Sequence, residues 1–200
     1  MKELNKLIVL INYIGHPSMN GDYLNDRRFD ALHVLLRNDN GESEKVIVSI
    51  GAEMNLNFPT KEKNVYPEYK KYYEKFLEIK EIASHGGRKV KWIDIKDDIS
   101  ILDLIKKLEN NGYIINPKYT EINIGGTNLS GCVLYDKETC VSTLAEFGFK
   151  INLILPMCAE ASNSGINDLE KTWKALRNVY KHLKNNELIS KVAFVYEIDE

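Results

Sequence analysis

The sequence predicts a three-layer α/β fold: a six-stranded, mostly parallel, doubly wound (Rossmann-like) sheet with helices on both faces. Three observations carry the prediction. Six short apolar runs rich in β-branched residues recur along the chain. Helical patterns fill the intervals between them, as in βαβ units. Several of the runs are apolar without alternation, which suits strands covered on both faces.

The runs are Leu7–Ile11, Lys45–Ile50, Lys89–Ile95, Glu121–Ile124, Lys150–Leu155 and Lys191–Tyr196. Between the second and third, Tyr69, Tyr72, Tyr73, Phe76 and Leu77 form an apolar stripe on a helix that starts after Pro67. Ile101, Leu102, Ile105 and Leu108 form another, with Ser100 or Asp98 placed to cap its N-terminus. Leu169, Trp173, Leu176, Tyr180 and Leu183 follow a 4-3-4-3 spacing and read as a core-facing stripe. A chain of 200 residues suits one domain, and with no shift of composition or repeat, residues 1–200 read as a single unit.

Bulk properties narrow the function classes. With 44% hydrophobic and 28% charged residues the chain is an ordinary globular sequence. A formal charge of −2 gives no global pull toward nucleic acid or an anionic membrane, so neither is an expected partner. The apolar run at Leu7–Ile11 is too short for a signal or a membrane span. Three cysteines, Cys132, Cys140 and Cys158, form no regular framework, so a reducing, cytoplasmic setting is expected. Neither a CxxC nor an HxxxH spacing occurs, so neither metal nor cofactor is expected.

The segment that can carry chemistry follows the fourth run: Ile124-Gly125-Gly126-Thr127-Asn128-Leu129-Ser130-Gly131-Cys132-Val133. A helical pattern through Val133, Cys140, Val141, Leu144 and Phe147 follows it. Cys132 is therefore expected in the first turn of a helix, just past the C-terminal end of a parallel strand. The positive end of a helix stabilises a thiolate, and its unpaired amides can bind an oxyanion. Open α/β sheets also bind ligands at that edge, where strand order reverses. The glycines and Ser130 would let the backbone approach a substrate. The competing reading makes Cys132 a small buried hydrophobe. Cys140 reads as core. Cys158, after Pro156, reads as a loop residue with nothing adjacent to activate it.

Thr127-Asn128-Leu129-Ser130-Gly131-Cys132-Val133, followed by Phe147-Gly148-Phe149 and a strand, resembles the signature of isochorismatase-like cysteine hydrolases. Ser130-Gly131-Cys132-Val133 is most similar to the N-carbamoylsarcosine amidohydrolase branch. The resemblance is strongest from about Ile99 to Glu160. It implies a homodimer or higher homo-oligomer and attack by a cysteine on the carbonyl of a small amide or related molecule. An aspartate base and a lysine would assist. On this pattern Cys132 is the nucleophile, and Lys96 (or Lys91, inside the strand) is the lysine. Thr127, Asn128, Ser130, Gly131 and His16 are the expected substrate contacts, and a cis peptide falls near Thr127–Asn128.

The chain departs from the pattern in three places. Asn12 stands where the aspartate would end the first strand, and an amide accepts no proton at neutral pH. The helix after Cys132 reads about four residues longer than usual, roughly one extra turn. No Asp/His metal cluster follows the second strand; Glu53 and His85 stand too isolated to replace it. His16, a little beyond Asn12, is either a substitute base or a plain loop residue.

Three functions follow: a cysteine hydrolase weakened by Asn12, a catalytically silent protein of the same fold that binds a ligand or partner, and a nucleotide- or phosphate-binding module using Gly125-Gly126-Thr127-Asn128. The last has the weakest signal, since neither GxGxxG nor GxxxxGK[ST] is present. Specificity would reside in the loops Ile14–Asn25 and Glu53–Tyr66.

Overall fold

The computed structural model describes residues 1–13, 22–37, 44–51, 66–85, 89–127, 129–135, 138–159 and 169–198. Its centre is a six-stranded, all-parallel sheet. The apolar runs supply β2 (Lys6–Ile11), β3 (Lys45–Ile50), β4 (Val90–Ile95), β6 (Glu121–Thr127), β7 (Lys150–Ala159) and β8 (Val192–Val195), in the order β4-β3-β2-β6-β7-β8. The chain winds outward from β2 in one direction and then returns to build outward from β6 in the other. Order reverses between β2 and β6, which pair in parallel from Lys6↔Glu121 to Ile11↔Gly126. Ligands in open sheets of this kind gather at such a reversal.

Helices cover both faces, as the unbroken apolar strands require. Leu7, Val9 and Ile11 of β2 join Ile122, Ile124, Ile151 and Leu153 in one apolar cluster. This cluster lies under α3 (Ile101–Asn110), α4 (Val141–Glu146) and α5 (Leu169–Asn185). Ile8 and Leu10, pointing the other way, pack with α1 (Asp22–Arg37) and α2 (Tyr66–His85) through Phe29, Leu32, Phe76 and Ile79. Phe76 meets Trp92 of β4 edge-on at 5.6 Å. The α3 N-terminus is set by Ser100, whose hydroxyl accepts from the Asp103 N–H at 3.1 Å.

Several expectations need correction. Two short strands add to the six: β1 (Lys2–Glu3) pairs in parallel with β5 (Tyr113–Ile114) as a separate ribbon too short to leave a periodic signal. β7 continues beyond Leu155 through Pro156, Met157 and Cys158 to Ala159. Pro156 is tolerated because the ladder with β6 slips there, jumping from Ile124↔Leu153 to Gly126↔Cys158. Cys158 is therefore a strand residue.

The buried faces of the helices differ in part from the apolar stripes. Helix α5 buries Ala175, Val179 and Leu183, while Trp173 is 58% and Tyr180 52% exposed. Leu102 and Leu77 face outward; Leu104 and Ile79 take the core positions. Helix α2 begins at Tyr66, before Pro67. The long helix after Cys132 is absent: Leu129–Val133 is a single π-helical turn, and the next helix, α4, starts at Val141 with Cys140 as its N-cap.

Among the described residues no helix is long and apolar enough to cross a membrane.

Candidate functional site

The C-terminal edge of the sheet gathers most of the residues the sequence singled out. Backbone hydrogen bonds carry the register one residue past each strand. The Asn12 N–H donates to the Ile50 carbonyl and the Gly51 N–H to the Ile95 carbonyl, each at 2.9 Å. Lys96, Gly51, Asn12 and Thr127 thus follow one another along the edge. Lys96 lies two strands from Asn12, roughly 10 Å at about 4.8 Å per strand. Lys91 sits inside β4 opposite Val46, so Lys96 is the lysine at the edge.

Asn12 forms a strained corner. Its φ is 45°, a left-handed backbone that Asn and Asp tolerate better than other side chains. The Thr127 hydroxyl donates to the Asn12 carbonyl at 2.7 Å and ties β6 to this corner. The Asn12 Oδ1 lies over Gly51, 2.2 Å from where a Cβ would stand, so a side chain there would displace the Asn12 amide as well as strain a backbone at φ +77°.

The glycines before the turn have a role that the sequence did not reveal. A Cβ on Gly126 would stand 1.9 Å from the Ile11 carbonyl oxygen, and one on Gly125 would stand 2.6 Å from the Met157 Cβ. Both glycines let neighbouring strands approach, so they are filled by protein rather than held open as a cradle. Close substrate approach and phosphate binding at Gly125-Gly126 lose their geometric basis.

Cys132 sits in the π-helical turn directly after β6. It and Ser130 are half-buried, between the buried Leu129, Gly131 and Val133. Cys132 packs against the cluster beneath α3–α5. The helix-dipole argument does not transfer to it, because one five-residue turn lacks the aligned peptides of a regular helix. The cysteine at a true helix N-cap is Cys140, fully buried with its Sγ 3.2 Å from the Thr143 hydroxyl. His16 and Asn128, with the Thr127–Asn128 peptide bond, lie outside the described residues, as does Glu53; the His85 side chain is likewise not described.

A second group at this edge left no sequence signal. Arg28 of α1 is completely buried, with its guanidinium 5.5 Å from the centre of the Tyr13 ring. The Tyr13 hydroxyl donates to the Arg28 carbonyl. Burial raises the Tyr13 phenol well above its usual range, with the Arg28 charge opposing. Cys158 is half-buried as a residue, yet burial pushes its thiol up to about 12, against lowering effects from the Gly126 amide and Arg28.

The turn also borders a polar cleft of about 330 Å³ against α5, lined by Ser130, Leu134, Tyr135, Asn178, Lys181 and His182. His182 stacks on Tyr135 at 5.4 Å and shares a 3.1 Å hydrogen bond with the Ser142 hydroxyl. Another groove, of about 340 Å³, opens at the opposite edge of the sheet around Asn5, Leu35, Glu44 and Lys45. There the Lys45 ammonium donates to the Leu35 and Leu36 carbonyls and closes the end of α1.

No family profile matches the chain, and no curated protein matches it by sequence. In structure it is similar to the MAR1 ribonuclease from Caenorhabditis elegans, at 13% identity over 90% of this chain and 75% of that chain, with a TM-score of 0.42. The strand order described above stands without that likeness.

Proposed function

We propose that the chain acts on a small amide or related carbonyl compound through the Cys132 thiol, as its resemblance to isochorismatase-like cysteine hydrolases implies. One observation carries the reading. A half-buried cysteine occupies a π-helical turn immediately after β6, one of the two strands between which order reverses. π-helical turns are rare, and this one sets the thiol at the edge where ligands of open sheets gather. In this reading the Cys132 sulfur, its proton released to solvent, adds to the carbonyl carbon while backbone amides near Gly131 and Cys132 receive the oxyanion. Collapse breaks the C–N bond, and the amine leaves with a proton from water. A second water cleaves the thioester to release the acid and the free thiol. Lys96 supplies positive charge, and Thr127, Asn128, Ser130, Gly131 and His16 contact the substrate.

Asn12 supports a second reading, a binding protein of the same fold without turnover. Its amide cannot take the thiol proton, and loss of a general base removes about 10²- to 10⁴-fold of rate.

The test has two steps. Iodoacetamide labelling at pH 7, followed by peptide mass spectrometry, should modify Cys132 well ahead of Cys158 and Cys140. Equal or slower labelling of Cys132 refutes its use as a nucleophile. The Asn12→Asp variant is then assayed against a panel of small amides. A gain of about 10²-fold or more identifies a disarmed hydrolase. No gain over a silent wild type, with ligand binding kept, identifies the binder.

A further inference from the structure

The solvent side of α5 differs in charge from the rest of the molecule. The segment 169–185 holds five basic residues (Lys171, Lys174, Arg177, Lys181, Lys184) against one acid, Glu170, a net of +4 in a chain of net −2. The remainder therefore carries −6, and the global charge conceals a local basic surface.

Aromatic rings are interleaved with these charges. With Ala175, Val179 and Leu183 buried, one exposed row of the helix runs Trp173, Arg177, Tyr180, Lys184. Trp173 and Tyr180 are seven positions apart, so about 10 Å of helix separates the two exposed residues, with Arg177 between them. A second exposed row, Lys174, Asn178, Lys181 and Asn185, leads into the cleft against the π turn. There His182 and Tyr135, the latter 53% exposed, add another ring pair and further donors. Between Trp173 and Asn185 neither row contains an acid; Glu170 and Glu187 stand one step beyond the ends.

Two large rings thus stand in water between the cations of this helix, outside its buried row. Cations spaced along a track with stacking platforms between them match a polyanion whose bases are unpaired. We infer that the exposed face of α5, from Trp173 to Asn185 together with Tyr135 at the adjoining cleft, binds single-stranded nucleic acid. Lys174, Arg177, Lys181 and Lys184 receive phosphates, and Trp173 and Tyr180 stack on bases. The inference is independent of the Cys132 chemistry. It refines the expectation drawn from net charge, which averages over both ends of the molecule.

The test is fluorescence anisotropy of labelled rU12 and dT12 with the full chain at 50 and 200 mM salt, with a 12-base-pair duplex as comparison. Four phosphate contacts to a single strand give a salt slope near −2.8, so affinity should fall about 50-fold over that range. The fourfold variant K174Q/R177Q/K181Q/K184Q should lose most of that salt dependence. W173A/Y180A should keep the slope but bind about 10-fold or more weakly. All these positions are exposed, and unchanged circular dichroism melts show that the variants fold. No binding at 50 mM salt, duplex binding as tight as single-strand binding, or affinities untouched by either variant would overturn the inference. A dimer by light scattering that dissociates in W173A/Y180A would also overturn it, by making this face a self-interface.

Discussion

Replacing Gly126 by alanine examines the junction on which the whole edge depends. The added Cβ would stand 1.9 Å from the Ile11 carbonyl oxygen, 2.8 Å from its carbon and 3.0 Å from the Ile11 nitrogen. Ordinary contact begins near 3.4 Å, so β2 and β6 would have to part by roughly 1.5 Å. That gap breaks the neighbouring ladder bonds, because N–H···O contacts fade beyond about 3.2 Å. Overpacking costs about 1–3 kcal/mol. The backbone, at φ +151°, adds conformational strain for any side chain of about 1–3 kcal/mol. The expected loss is about 3–5 kcal/mol, or a Tm fall of about 10–15 °C for a chain of this size. Urea unfolding followed by far-UV circular dichroism measures it. Gly112→Ala is the internal control: its φ is +89°, but nothing lies within 4 Å of the new Cβ. It should cost only the backbone strain, about 1–2 kcal/mol. If Gly126→Ala is no more harmful than Gly112→Ala, the packing argument fails and an open anion cradle at Gly125-Gly126 returns.

Two further measurements probe local devices. Ser100→Ala removes the α3 cap and should lower stability by about 1 kcal/mol, read as a Tm shift of about 2–4 °C; no shift would mean that the cap bond contributes nothing. Tyr113→Phe removes the 2.8 Å hydrogen bond that, ahead of Lys2, holds the Glu44 carboxyl below its usual range. A depressed acid stabilises the fold above its unfolded pKa, and the contribution fades as pH falls through the folded value. The advantage of wild type over the variant should therefore shrink below about pH 4. Parallel stability curves down to pH 2 would refute that assignment.

The strands were legible because burial on both faces demands uninterrupted apolar runs, and Leu7–Ile11 and Lys45–Ile50 leave little else for those residues to do. The helix faces were less legible. In α5 the spacing of Trp173, Leu176 and Tyr180 satisfies a helical period, but so does the row Ala175, Val179, Leu183. Aromatic size made the wrong row look more like core. The extension of β7 was hidden by Pro156, which a regular ladder excludes and a register slip admits. The turn at Cys132 was legible in position but not in kind, since a five-residue π turn has no period to detect. Lys96 and Asn12 share an edge because their strands end at Ile95 and Ile11, as the apolar runs mark; Thr127 joins them because β6 continues three residues past the run that ends at Ile124. The buried Arg28–Tyr13 pair comes from tertiary packing, and no local pattern announces it.

The bent corner at Asn12 has a consequence for how this edge can change. Asparagine and aspartate have the same shape and share a tolerance for the left-handed turn, so exchanging one for the other alters a single terminal atom while the scaffold keeps its form. Most other residues there would have to reshape the junction with Gly51. Acidity at this spot is thus separable from architecture. A lineage could gain or lose a proton acceptor in one step, with no repacking to follow.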